Sequence, residues 1–225
     1  MGQKVNPIGF RVGKVFNWKS CWFSDKAGVV DYVSEDFNIR KFLCSSIDYI
    51  SDVLIERELG VTSGKMSFVT VYLYTNVPSS VIGGDGKNIR EIVSLLELKF
   101  KHKFNVNVVG LKNEYFSSRL ICDKLGKQVK DRVPYRSAIK KILVSSSKFK
   151  STGIKISVAG RLNGAEIARS ESFKYGKISL HSIKSNVDFY CGRVDTVYGT
   201  IGIKVWVCNG NLYTRRLPYN TLYDV

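Results

Sequence analysis

The sequence has few of the residues that build metal or disulfide sites. Its five cysteines, at positions 21, 44, 122, 191 and 208, are far apart and form no C-x-x-C motif. The two histidines, His102 and His181, stand alone. Because structural zinc sites use ligand pairs at short spacing, we expect no metal and no cofactor. An odd number of scattered cysteines favours buried thiols in a reducing compartment over a disulfide framework.

Enzyme motifs are also missing. The chain contains neither H-E-x-x-H nor G-x-S-x-G. Residues 60–66, G-V-T-S-G-K-M, resemble a P-loop only superficially, because the spacing is one residue short and methionine replaces Ser or Thr. Gly84 and Gly86 lack the third glycine of a dinucleotide-binding motif. We interpret Glu166 and Glu171 as ion-pair partners rather than catalytic carboxylates, so no catalytic residue and no enzyme is predicted.

Long apolar runs and acidic residues are scarce. No run approaches the ~18 residues of a transmembrane helix, and the N-terminus has no signal-peptide core. Nineteen acids face 35 Lys and Arg, which gives a net charge of +16 and a pI of about 9.7. The hydrophobic fraction of 44% is that of a globular protein. A polyanion is therefore the expected partner, with nucleic acid well ahead of a membrane surface.

Residues 81–89, V-I-G-G-D-G-K-N-I, contain a G-x-x-G loop that precedes a segment with helical spacing. Glycines let a sugar-phosphate backbone approach closely, and in RNA-binding KH domains such a loop clamps about four nucleotides. A glycine turn without a ligand is the alternative. The basic composition and a predicted helix on each side of the loop favour RNA binding. The KH-loop residues are Gly83, Gly84, Asp85, Gly86 and Lys87.

The order of predicted elements indicates two α+β domains. From residue 29 to 109 it is helix, strand, strand, helix, G-x-x-G, helix, strand, which is the KH type II arrangement. After residues 110–115 the pattern restarts with helices at 117–130 and 134–148, strands at 154–159 and 200–207, and two further apolar runs at 178–180 and 187–191. We predict an irregular arm (1–15), a KH type II domain (16–112), an α+β domain with a mixed sheet and two helices (113–208) and a tail (209–225).

The strongest charge feature is the stretch 124–150, which has nine basic residues and one acid, Asp131, a net charge of +8. Arg136 and Lys140 lie four apart, so a helix after Pro134 places them on one face. Apolar side chains at 139, 142 and 143 fall on the opposite face, toward the core. A solvated charged face is the alternative, but acids usually alternate with the bases in such faces. Their near absence favours phosphate contact.

An aromatic cluster follows the predicted arm and has two interpretations. Its members are Phe16, Trp18, Trp22 and Phe23. In an RNA-binding protein such rings could stack on bases. A hydrophobic core is the commoner explanation of a cluster this dense, and we predict core.

Three blocks of the sequence are specific enough to indicate a family. The first is residues 1–11, M-G-Q-K-V-N-P-I-G-F-R. The second is residues 159–169, A-G-R-L-N-G-A-E-I-A-R, which is far more specific than a G-x-x-G. The third is residues 198–207, Y-G-T-I-G-I-K-V-W-V. Together the blocks extend from residue 1 to about 210 and resemble small-subunit ribosomal protein three (the S-three family) of bacterial or organellar type, the third being similar to that family's C-terminal core strand.

The resemblance implies a structural rRNA-binding protein in the head of the small ribosomal subunit, at the mRNA entry channel, where it helps to unwind mRNA. The implied rRNA-binding residues are Gly2, Gln3, Lys4, Arg11, Lys14, Arg161 and Arg169. The implied mRNA-entry residues are Arg132, Arg136, Lys140 and Lys141. Implied partners are rRNA, mRNA, the fourth and fifth proteins at the channel, and the tenth and fourteenth in the head, with the second as a further candidate. The implied location is the bacterial cytoplasm or an organellar matrix or stroma.

Two departures from the family pattern affect charge. Ser137 stands where the family usually has the second residue of a basic pair after Tyr135. Asp85 stands between the loop glycines, where a carboxylate opposes an approaching phosphate and Lys87 offsets it.

Two other functions stay open at this point. One is a free KH-domain factor in RNA processing or ribosome assembly, and the other is a nucleic-acid enzyme such as a repair endonuclease or lyase.

Overall fold

The computed structural model describes most of the chain and divides it into two compact units. One unit contains the described part of Trp18–Lys112, and the other contains the described parts of Met1–Asn17 and Asn113–Val225. The described residues are 4–26, 28–59, 66–148 and 153–211. Gly2, Gln3, the predicted turn at 60–64 and residues 212–225 of the predicted tail lie outside them.

The first residues form a short helix, α1 (Pro7–Arg11), where an irregular arm was predicted. Asn6 caps it, since its side-chain oxygen accepts a hydrogen bond from the Ile8 backbone at 2.9 Å. Pro7 suits the first turn, where its missing N–H costs no helical hydrogen bond. The prediction of an irregular arm is therefore wrong for this segment. Sequence periodicity could not reveal it because one turn is too short to show a period.

The unit that begins at Trp18 contains a four-stranded mixed sheet in the order β1-β2-β3-β4. Strands β2 and β3 are antiparallel, whereas β4 lies parallel to β3 and β1 parallel to β2. The predicted order of helices, strands and glycine loop is confirmed. The elements are β1 (Ser20–Cys21), α2 (Val29–Ser46), β2 (Ile50–Leu59), β3 (Met66–Thr75), α3 (Pro78–Ile82), α4 (Lys87–Phe100) and β4 (Lys103–Gly110).

The core of this unit lies between the sheet and its helices. Val69, Val71 and Leu73 alternate along β3, so all three side chains point to one buried face of the sheet. Leu43 of α2 and Leu96 of α4 pack in the same cluster and are fully buried. Each such side chain contributes about 1.5–3 kcal/mol on burial. This packing fixes α4 and the glycine loop that precedes it.

The other unit contains two long helices and a second sheet in the order β6-β5-β8-β7. All three strand pairs are antiparallel, so the prediction of a mixed sheet in this domain is wrong, whereas α+β with two long helices is confirmed. A parallel pair needs a crossover of a dozen or more residues, and both helices precede all four strands. The elements are α5 (Ser118–Lys130), α6 (Tyr135–Lys148), β5 (Gly153–Gly160), β6 (Arg169–Gly176), β7 (Ser185–Thr196) and β8 (Gly199–Asn211).

Strand boundaries in the second unit differ from the predictions in two places. Strand β8 continues through Asn211, so the tail does not begin at residue 209. Strand β6 was not predicted at all, because it forms one edge of the sheet and most of its side chains are polar and exposed. The alternation of Phe173 and Tyr175 was its one sequence signal. Phe173 packs against the core, and Glu171 lies two residues before it on the same face of the strand.

Candidate nucleic-acid interface

Helix α6 presents the predicted basic face and the predicted apolar face. Arg136 and Lys140 are exposed, as is Lys141. Ile139 and Ile142 are buried in the cluster formed with β5 and β8. Leu143 is half-buried against the same cluster. The helical period alone therefore placed both sets correctly, and the basic face rests on a rigid core.

The guanidinium of Arg136 is held by a carboxylate from strand β6. Its Nη2 donates to Glu171 Oε1 at 2.9 Å and its Nε donates to Glu171 Oε2 at 3.3 Å. Arg136 Nε also donates to the hydroxyl of Tyr135 at 3.1 Å. The hydrogen bond with Glu171 raises the pKa of Arg136, and the same bond lowers the pKa of Glu171. The interpretation of Glu171 as an ion-pair partner is confirmed.

Arg169 joins this pair from the same strand. Its Nε lies 3.4 Å from Glu171 Oε1, and its Nη2 donates to the Tyr135 hydroxyl at 3.4 Å. One carboxylate thus brings together Arg136, an implied mRNA-entry residue, and Arg169, an implied rRNA-binding residue. The sequence did not reveal this contact, because 35 residues separate Arg136 from Glu171 and strand β6 was not predicted.

Arg132 lies in the turn between α5 and α6, as the position of Pro134 led us to expect. Its N–H bonds to the Val129 carbonyl at 3.1 Å, and the Val133 N–H bonds to the Gln128 carbonyl at 3.0 Å. These two bonds form a Schellman motif that ends α5, in which the left-handed residue is usually glycine. Here Arg132 has a φ of 60°, a backbone conformation that costs a non-glycine residue about 1 kcal/mol or more. The exposed side chain thus stands on a strained turn.

Arg161 is placed at the surface by the turn that follows β5. Its Nε donates to the Ala165 carbonyl at 2.9 Å and its Nη1 to the Tyr198 carbonyl at 3.2 Å. Gly164 in this turn has a φ of 79°, and a Cβ there would lie 3.2 Å from the Tyr198 ring. The glycine therefore allows both the turn and the close approach of that ring. The turn, Tyr198 and the α5–α6 connection surround a cavity of about 420 Å³.

The glycine loop lies between α3 and α4 at the surface of the other unit. Gly83 and Gly86 have φ values of 73° and 72°, and a Cβ on Gly83 would lie 2.7 Å from the Asn88 side chain. Both positions thus favour glycine. Asp85 also has a positive φ, 52°, which aspartate tolerates better than most residues. Its side chain and that of Lys87 are exposed. The loop therefore offers one anion and one cation to a ligand.

Arg11 is not available to RNA in this structure, which corrects its assignment as an rRNA-binding residue. The side chain is fully buried. Its Nε donates to the Ser185 carbonyl at 2.7 Å, and its other nitrogens donate to the carbonyls of Pro7, Ser179, Leu180 and Ser182 at 2.9–3.1 Å. Arg11 therefore ties α1 to the segment before β7. By contrast, Lys4 and Lys14 are exposed.

The aromatic cluster is only partly core. Phe16 is buried, and Trp22 is half-buried, with its Nε1 donating to Asp36 Oδ2 at 2.8 Å. Trp18 and Phe23 are 59% and 75% exposed. The prediction of core is wrong for these two rings. Both rings lie in irregular backbone, where no periodicity tells an inward side chain from an outward one.

The described ranges contain neither a metal site nor a membrane-spanning helix. Among these residues no group of three or more His, Cys, Asp and Glu side chains could hold a metal ion. No helix in the described part of the chain is long and apolar enough to cross a membrane.

Comparison with known proteins gives a consistent set of similarities. A family model described as ribosomal protein S3, C-terminal domain, matches residues 125–207. Small ribosomal subunit protein uS3 of Campylobacter hominis is 38% identical over 214 residues, which cover 94% of this chain and 90% of that protein. The uS3 of Wolbachia pipientis wMel is 37% identical over 209 residues, 92% and 98% of the two chains. That of Cytophaga hutchinsonii is 37% identical over 218 residues, 96% and 83%.

Proposed function

We propose that this chain, which belongs to the family of small ribosomal subunit protein uS3, is a structural constituent of the small ribosomal subunit that binds rRNA. The family membership agrees with the sequence prediction of a structural protein rather than an enzyme. It also favours the ribosomal function over the two alternatives, a free RNA-processing factor and a nucleic-acid enzyme. Among the residues that the structure describes, no specific feature favours either alternative.

The exposed cations around helix α6 are the observation that carries the proposal. Arg132, Arg136, Lys140 and Lys141 are all exposed and lie within one connected segment. The buried opposite side of the helix keeps them on a rigid support. A face with so few acids gains little in folding from its like charges, which repel one another. Contact with phosphates explains why the charges are concentrated there.

The same four cations are the residues we propose for the mRNA entry channel. A single-stranded message passing this face would meet Arg132 on the turn and then the other three cations, which lie on α6. A base-paired message would lose pairing as each strand is held separately. Arg161 and Arg169, with Lys4 and Lys14, remain proposed rRNA contacts. Arg11 is withdrawn from that set because its guanidinium is buried among carbonyl groups.

For residues 18–112 we propose a KH type II domain. The order of helices and strands supports this, as does the exposed G-x-x-G loop at the N-terminus of α4. Gly86 caps that helix without a side chain, so backbone N–H groups of its first turn face outward. The Asp85 carboxylate weakens the site for a phosphate, and Lys87 partly compensates for it.

We further propose the surroundings that the family resemblance implies. The chain would lie in the subunit head near the tenth, fourteenth and second proteins and reach the fourth and fifth proteins at the channel. The location would be the bacterial cytoplasm or an organellar matrix or stroma, wherever the ribosomes that contain it work.

Salt dependence of rRNA binding tests the proposal on the purified full-length chain. Six exposed cations of the α5–α6 segment would contact phosphates: Lys127, Lys130, Arg132, Arg136, Lys140 and Lys141. Six contacts predict that log affinity falls with log salt at a slope of about −4 to −5. A slope shallower than about −2 on a small-subunit rRNA fragment would contradict the electrostatic account.

A further inference from the structure

We propose that the cavity of about 420 Å³ beside the α5–α6 turn binds a single unstacked base of RNA. We call it the turn pocket. Its walls come from that turn, the 3₁₀ turn Leu162–Gly164 and the hairpin between β7 and β8. The inference rests on the proposed RNA-binding function and adds to it a specific place for a base.

The interior of the turn pocket suits a flat apolar ligand. Val158, Leu162 and Ile201 form its floor and are at most 5% exposed. Half-buried Val133 forms one side. Tyr198 forms another side, and its ring is held against Gly164 and is 55% exposed. The volume lies in the ~300–1,000 Å³ range of small-ligand pockets, and base–aromatic stacking is a common means of binding single strands.

The mouth of the turn pocket suits a ligand that also carries negative charge. Three exposed cations surround it: Lys130, Arg132 and Arg161. One carboxylate, Asp195, is also present, and its Oδ1 accepts a hydrogen bond from Thr200 Oγ1 at 2.9 Å. An apolar interior with a mainly cationic mouth matches a nucleotide, whose base is planar and whose phosphates are anionic. An apolar side chain of a neighbouring protein would leave these cations unused.

The backbone of Arg132 supports the same interpretation. The left-handed position of a Schellman motif is one where glycine is the least strained residue. An arginine there adds nothing to the end of α5, since the two backbone hydrogen bonds of the motif need no side chain. It does place a cation at the mouth of the pocket. The strain is therefore explained if the Arg132 side chain contacts the ligand's phosphate.

Methyl NMR spectra of the full-length chain test whether a base enters the pocket. The probes are uridine 5′-monophosphate, adenosine 5′-monophosphate and ribose 5-phosphate, which lacks a base. We expect the two nucleotides to shift the methyl resonances of Val133, Leu162 and Ile201, and ribose 5-phosphate to leave them unchanged. Equal shifts from all three probes, or no shift from any of them, would overturn the proposal that the turn pocket binds a base.

Affinity for RNA separates this inference from the proposed function. A single-stranded oligonucleotide should bind at least about fivefold more tightly than the same chain of abasic residues. Val133→Phe, which places a ring in the pocket, should abolish that ratio, whereas Val144→Phe, at an exposed site on α6 that does not line the pocket, should keep it. Arg132→Gly should lower affinity for both oligonucleotides while raising the midpoint of urea unfolding, because it removes strain.

The outcomes lead to different conclusions. If intact and abasic chains bind wild type equally, the turn pocket is wrong and RNA binding by the surface cations survives. If neither chain binds at any salt concentration, both the pocket and the proposed function fail. If Val133→Phe does not fold, Tyr198→Ala decides instead, because it removes an exposed ring from the pocket wall. Loss of the base preference in Tyr198→Ala supports the pocket, and an unchanged preference overturns it.

Discussion

Glu171 occupies the Nε and Nη2 edge of the Arg136 guanidinium, with hydrogen bonds of 3.3 and 2.9 Å. A phosphate that binds this edge would use the same two donors, because its oxygens match them in the way that a carboxylate does. RNA that contacts Arg136 must therefore displace Glu171 or share the guanidinium with it. Strand β6 thus supplies an internal competitor for one of the proposed mRNA contacts.

Glu171→Gln should strengthen the binding of single-stranded RNA by about two- to fivefold, the range of a surface ion pair. The amide keeps the size of the side chain but no longer competes as an anion for Arg136 and Arg169. Fluorescence titration at fixed salt measures the change. Glu166→Gln is the matched control, because Glu166 is exposed and this substitution also removes one negative charge. Equal gains in the two variants would show a general charge effect and no competition at Arg136.

The stability of the pair should depend on pH with a defined sign. The folded pKa of Glu171 is lowered, first by its hydrogen bond with Arg136, so the unfolded chain binds the proton more readily. The pair therefore contributes to the free energy of unfolding above the ordinary glutamate pKa of about 4.3. This contribution is lost as pH falls through the lower pKa of Glu171 in the folded chain. Urea midpoints of wild type and Glu171→Gln should differ at pH 6 and converge in acid. A constant difference across this range would contradict the ion pair.

Replacing both Arg136 and Lys140 with Ala should separate mRNA handling from folding. Both side chains are exposed, so the unfolding midpoint should fall only by the small contribution of the Arg136–Glu171 pair, about as far as in Glu171→Gln. Translation through a stable mRNA hairpin should slow roughly twofold or more, because two phosphate contacts are lost, while an unstructured message should be unaffected. Ile139→Ala is the control for damage to the core and should cost about 2–5 kcal/mol and impair assembly. Equal slowing on both messages would leave only a scaffolding role.

Asp85→Asn should raise the affinity of the glycine loop for single-stranded RNA. Asparagine accepts the left-handed backbone at this position, so the variant removes the charge without new strain. The expected gain is about threefold, from one charge several Å from a phosphate at the surface. Asp31→Asn, at an exposed site on α2, controls for net charge. If the two variants bind single-stranded RNA with the same affinity, residues 83–86 form only a structural turn.

Arg11→Met should destabilise the chain by about 3 kcal/mol or more, because five carbonyl groups lose the donor that satisfies them in a buried site. Urea unfolding measures this. The salt slope of RNA binding should stay the same, since no phosphate contact is removed. Lys14→Met is the matched control at an exposed site and should leave the unfolding midpoint within error. A shallower salt slope for Arg11→Met with unchanged stability would restore Arg11 as an RNA contact.

Local patterns predicted the helices and the inner strands well, for a physical reason. In α6 the apolar residues Ile139 and Ile142 repeat with the helical period, and the burial that they gain outweighs the repulsion between Arg136 and Lys140. Edge strand β6 lacks such a signal because one of its sides faces solvent. Most of its side chains are polar and exposed, so the strand does not show the apolar–polar alternation that burial of one face produces.

Contacts between distant residues could not be predicted from composition or spacing. Arg11 has the sequence context of an RNA-binding arm, yet four of its five acceptors lie more than 160 residues further along the chain. Glu171 meets Arg136 only because the edge strand lies beside α6. The left-handed backbone of Arg132 also gave no signal, since glycine is the usual mark of that conformation.

Sedimentation of cell extracts from the source of the chain tests the central claim most directly. Quantitative mass spectrometry across a sucrose gradient, at magnesium concentrations that separate subunits, measures how many copies accompany each small subunit. The account predicts about one copy per small subunit, in a fixed ratio to other small-subunit proteins across the peak, and little in the unbound fractions. A chain found mainly in the unbound fractions, or in assembly intermediates alone, would contradict a structural constituent and favour a free RNA-binding factor.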